Sequence, residues 1–131
     1  MKVGILQAEL MIVAAHSLKE KRKVVKSLKE RLFSRFNVSV AEVGAQDLWQ
    51  RAVIGVSLVA LNTPTAHSQL SKVENFIRSH PGASVLNLYA EIIDPEHVDP
   101  EHTTPVESVD SEDYDRRFER YTSAEDLLED E

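Results

Sequence analysis

A chain of 131 residues, 42% of them hydrophobic, can build one compact core with an appendage but not several domains. With no cysteine it has no disulfide framework, no thiolate metal site and no cysteine nucleophile. The formal charge of −7 averages two unlike parts: residues 1–90 hold 12 Lys and Arg against 6 Asp and Glu, net +6, whereas residues 91–131 hold 3 against 16, net −13.

No apolar run reaches membrane-spanning length. Gln7 and Glu9 interrupt the opening apolar stretch, which argues against a signal peptide, so a cytoplasmic protein is expected. Lys2 to Val13 predicts a first strand, with Leu6, Ala8, Leu10 and Ile12 on one side and Ile5, Gln7, Glu9 and Met11 on the other. Ala14 to His16 connect it to the most informative stretch of the chain, His16 to Arg35, an amphipathic and strongly basic helix. Ser17 and Glu20 match the S-x-x-E capping box, in which each side chain satisfies a free backbone N–H of the first turn. Leu18, Val25, Leu28, Leu32 and Phe36 recur on one narrow face, which must be buried. Lys19, Arg22, Lys23, Lys26 and Lys29 form a flank beside that face, expected to be free of carboxylates. Arg31, Arg35 and Glu20 occupy the other flank. Five displayed cations read either as a solvated helix surface or as an anion-binding surface.

Asn37 to Val43 predicts the second strand, with Val38 and Val40 pointing together, and Gly44 to Leu48 a turn. Gln50 to Leu61, strongly β-branched, predicts the third strand. Asn62-Thr63-Pro64 breaks it. A second helix runs from Thr65 to about Ser79, with Leu70, Val73, Phe76 and Ile77 as its apolar stripe, and stops at His80-Pro81-Gly82. Ser84 to Ile93 predicts the fourth strand, with Leu86, Leu88, Ala90 and Ile92 on one face.

The order βαββαβ is that of an α+β, ferredoxin-like domain over residues 1–93: a four-stranded antiparallel sheet with both helices on one face. The open face would show Gln7, Glu9, Ser57, Asn87, Tyr89 and Glu91 among Val3, Ile5 and Val59. In this topology the first strand, the second strand and the second helix run toward the same end. The His16 connection, the Ala45–Trp49 turn and the His80–Gly82 turn therefore gather at one rim, where the N-terminus of the basic helix favours an anion.

The rim candidates are His16, Gln46, Asp47, Trp49 and Arg51. In one reading Trp49, the only tryptophan, stacks on a base while Arg51 or Lys19 holds phosphate. In the other, Trp49 caps the end of the core, which is where aromatics mostly serve, and Asp47 pairs with Arg51 or caps the turn. His16 could pair with Asp47 or Glu42 across the rim. No G-x-S-x-G, P-loop or H-E-x-x-H is present, and Ser17 is already explained as a cap. No catalytic residue, metal site or cofactor is assigned, and the chain is not expected to be an enzyme.

The segments H-S-L-K-E-K-R at 16–22, F-N-V-S-V-A-E-V at 36–43 and Q-D-L-W-Q-R-A at 46–52 closely resemble the YlxP-like family of small bacterial proteins of unknown function. The resemblance covers about residues 1–93 and falls on His16, Ser17, Lys19, Lys21, Arg22, Asn37, Gln46, Asp47, Trp49 and Arg51. It implies a ferredoxin-like domain. Genes of that family commonly sit among those for translation initiation and ribosome maturation, near the ribosome-binding factor A gene. By association, this implies a role around ribosomal RNA or the small subunit.

Residues 94–131 form an acidic tail in which Asp94-Pro95-Glu96-His97 recurs as Asp99-Pro100-Glu101-His102. Its composition predicts a largely disordered, solvated linker rather than a metal site. A short helix could form around Tyr114, Phe118 and Tyr121. The tail either solubilises a basic domain or competes with a polyanion for the Lys/Arg flank. The expectation is a non-catalytic RNA- or ribosome-associated accessory factor. The alternative is a protein-interaction module that binds a partner or forms a homodimer through its open sheet face or an edge strand.

Overall fold

A computed structural model describes residues 1–95. Six elements follow one another: β1 (Lys2–Ile12), α1 (Leu18–Arg35), β2 (Ser39–Gly44), β3 (Arg51–Ala60), α2 (Thr63–Ser79) and β4 (Ala83–Ile93). The strands form one sheet in the order β2-β3-β1-β4, with every neighbouring pair antiparallel. This is the ferredoxin-like arrangement. The tail from residue 96 on, including its histidine-bearing repeat and its aromatic segment, lies outside the described residues.

The even positions of β1, Leu6, Ala8, Leu10 and Ile12, are buried together with Ala52, Ile54, Val56 and Leu58 of β3. Both helices close over this face through Val25, Leu28 and Leu32 of α1 and Ala66, Leu70, Val73 and Ile77 of α2. The helices meet through an edge-to-face contact between Phe36 and Phe76, ring centroids 5.9 Å apart, with the Arg35 guanidinium 5.0 Å above Phe76.

Both helix starts are set by side-chain caps. The Ser17 hydroxyl accepts from the Glu20 N–H at 3.2 Å, and the Asn62 carbonyl oxygen accepts from the Thr65 N–H at 2.9 Å. The reciprocal bond of the capping box comes from the His16 N–H to the Glu20 carboxylate, one residue earlier than the usual partner. α2 begins two residues before the predicted Thr65, because a proline in the first helical turn has no N–H to lose there.

Two irregularities depart from simple alternation. In β4 the register shifts between Glu9 and Leu10, so that Leu10 faces Val85 and Glu9 faces Asn87. Leu86 is the extra residue of this bulge and stays exposed, while Val85 and Ala83 pack on the core in its place. Of the predicted face, Leu88 and Ile92 pack inward, and Ala90, on the same side opposite Leu6, stays exposed beside α2. In β2 a second shift leaves Val43 unpaired between Glu42 and Gly44. The left-handed turn residue Ala45, φ 57°, follows immediately.

Candidate functional site

The three connections do converge on one rim. The Ile12 N–H donates to the Gln50 carbonyl at 2.8 Å, and the Val13 N–H donates to the Gly82 carbonyl at 3.1 Å. Gly82 turns the chain there with φ 86°, a conformation that favours glycine. The 45–50 hairpin is closed by the Leu48 N–H on the Ala45 carbonyl.

The residue that fixes this rim is Lys21, 1% exposed. It lies inside the apolar arc of α1, one turn before Val25. Its ammonium group donates to the carbonyls of Ala45, Gln46 and Arg51 at 2.8, 3.2 and 3.1 Å. Those three bonds use all of its hydrogens. Glu42 Oε1 sits 3.0 Å away and balances the charge without receiving a hydrogen of its own, so this buried oxygen has no hydrogen-bond partner. A buried cation is stable only when paired and hydrogen-bonded, and here both conditions come from the β2–β3 hairpin. Helical periodicity already places Lys21 within the buried stripe. What it cannot supply is the partner, which lies 24 to 30 residues further along the chain.

On this brace, Trp49 is 38% exposed, so most of its ring is covered while one part of it meets solvent. Its ring lies 6.2 Å from the His16 ring, tilted by 44°. His16 pairs with neither Asp47 nor Glu42 through its side chain. Asp47 forms no ion pair among the described residues, and Arg51 pairs with Glu9 across the sheet at 2.9 Å. Arg51 is therefore placed at the outer sheet face, in a pair with Glu9 that leaves about half of its own side chain in solvent. Gln46 serves mainly through its carbonyl to Lys21, while its side-chain amide makes a long 3.5 Å contact to the Glu42 carbonyl. The N-terminus of α1 already holds an anion of its own, the Glu20 carboxylate.

Lys19, Arg22, Lys23 and Lys26 are exposed along α1, and Lys29 is half-buried. The flank is not free of carboxylates: Glu30 lies on the same arc, 4.0 Å from Lys26, with both side chains well solvated. A pair of that kind adds little stability and masks little charge. Sequence reasoning passed over Phe33. It is 52% exposed and follows Lys29 by one turn and Lys26 by two, so the cationic flank carries an aromatic ring. The signal was its angular position, outside the apolar stripe.

The opposite flank faces α2. There His80, 6% exposed, keeps a buried Nδ1 without a partner. Burial, and then the nearby Arg31 charge, hold its pKa below the ordinary histidine value. On the open sheet face, Val43, Val59, Tyr89 and Ile93 are exposed. The Tyr89 hydroxyl donates to Glu91, which holds the phenol above its usual range. A shallow hollow there is bordered by Ile5, Gln7, Ala41, Val43 and Tyr89. Gly55 floors it, and a side chain at that position would press on Val43.

No group of three or more His, Asp or Glu among the described residues could hold a metal ion, and no described helix is long and apolar enough to cross a membrane. Comparison with known proteins places a family profile described as "Protein of unknown function (DUF503)" over residues 3–90. The chain is also similar to "Uncharacterized protein YlxP" of Bacillus subtilis (strain 168). The two are 40% identical over 79 residues, which is 60% of this chain and 86% of that protein.

Proposed function

The chain belongs to the family described as Protein of unknown function (DUF503), and from that premise we propose that it is a non-catalytic accessory factor that associates with RNA, the ribosomal small subunit foremost, in the cytoplasm. The observation that carries this reading is the exposed row Lys19, Arg22, Lys23 and Lys26 along one flank of one helix, answered there by Glu30 at 4.0 Å. Charges spaced along a rigid helix suit a phosphate backbone. The gene association implied by the family resemblance points the same way. If the five flank cations each meet a phosphate, log K falls against log salt with a slope of about −3.5 for a single strand. If the half-buried Lys29 stays out, the slope is about −2.8. The double reversal K23E/K26E should abolish association. A flat salt response, or undiminished binding by the double variant, would remove the idea.

A second reading, self-association or protein binding through the open sheet face, is favoured by the exposed Val43 and Tyr89 around the hollow over Gly55 and by the exposed Val59 elsewhere on that face. It predicts that K23E/K26E leaves the contact intact while Y89K weakens it, as read by sedimentation.

A further inference from the structure

Resting on the RNA reading above, we infer that the strand bound is unpaired, with its bases stacking on the exposed rings that accompany the cationic flank: Trp49 beside His16 at the rim, and Phe33 on the flank itself. Leaving a large ring in water forfeits the burial that aromatic side chains usually supply. Phe33 at 52% exposure is such a ring, and Trp49, largely covered, still presents part of its ring to solvent at 38% exposure. Both stand on fixed supports. Phe33 is in the interior of α1. Trp49 is on a hairpin whose carbonyls are gripped by the buried Lys21. A ring already held in place loses little freedom when a base stacks on it.

The cations lie on the same helix. From Leu18 to Phe33 the axis spans about 22 Å at 1.5 Å per residue, room for several nucleotides. Every base has a π-face, so this combination tracks a single strand without reading its sequence. A duplex keeps those faces stacked inside and offers only phosphates and groove edges, so the two rings gain nothing from it.

The chain has one tryptophan, so emission excited selectively from tryptophan rather than from its three tyrosines reports position 49 alone. Full-length protein is titrated with a short end-labelled single-stranded RNA and with the same sequence in a blunt duplex, followed by anisotropy and by tryptophan emission. The single strand should quench Trp49 and bind at least about tenfold more tightly than the duplex. W49A and F33A should each lower single-strand affinity by about 5- to 100-fold and bring the ratio of the two affinities toward one, with W49F retaining most of the preference. Circular dichroism of each variant checks that the fold is kept. Equal affinity for both forms without quenching, while K23E/K26E abolishes both, overturns this inference and leaves the flank reading standing. Failure to bind either RNA at low salt removes the RNA reading and this inference together.

Discussion

Replacing Lys21 by methionine keeps an unbranched side chain, one atom shorter, and removes its charge. Three carbonyls then lose their donor, and Glu42, whose side chain is only 19% exposed, loses the cation 3.0 Å away. Removing one member of a buried pair typically costs about 3–5 kcal/mol. The hairpin residues Gln46 and Arg51 are exposed, so water can reach part of what is lost, and the lower end, about 3 kcal/mol, is expected. For a domain of this size that corresponds to a fall in Tm of about 12–24 °C. Urea unfolding followed by circular dichroism measures the cost, and Trp49 emission reports whether the hairpin loosens first. In K21M/E42L the stranded carboxylate is gone as well, so the double variant should regain about 2 kcal/mol relative to the sum of the single changes. A cost for K21M below about 1 kcal/mol, or strict additivity in the double variant, would refute the assignment of Lys21 as the brace of the rim.

Burial of neutral His80 makes stability depend on pH in a definite direction. Its folded pKa lies below the unfolded value of 6.5, so the unfolded chain binds more protons between the two. Stability is complete above pH 6.5 and declines as the pH falls below it. H80L should flatten the Tm profile between about pH 7.5 and 5.5, and an unchanged profile would exclude His80 as its source. Deleting residues 96–131 removes most of the −13 charge of the C-terminal part yet keeps Asp94, which pairs with Lys2. The shortened chain should bind RNA more tightly than the full chain, with the difference largest at low salt. Equal affinities would assign the acidic segment no influence on the flank.

Local chemistry determined the elements. The spacing of Leu18, Val25, Leu28 and Leu32, the Ser17 cap and the alternation along β1 each depend on residues a few positions apart, and all are legible without coordinates. The topology followed, because two helices with one apolar stripe each must share one face of the sheet. It also placed the three connections at one rim, where the structure has them. Two kinds of feature were not legible. The bulges at Val43 and Leu86 depend on how two strands come into register, which neither strand encodes alone, and they decided which β4 side chains face inward. The partners of ionisable groups depend on residues distant in the chain. One reading of the sequence paired Arg51 with Asp47, four residues away, whereas Arg51 meets Glu9 across the sheet. Lys21 sits on the buried arc of its helix, and only packing against the β2–β3 hairpin supplies the oxygens that make a buried ammonium tolerable. Periodicity determines which way a side chain points, and tertiary contact decides what it meets there.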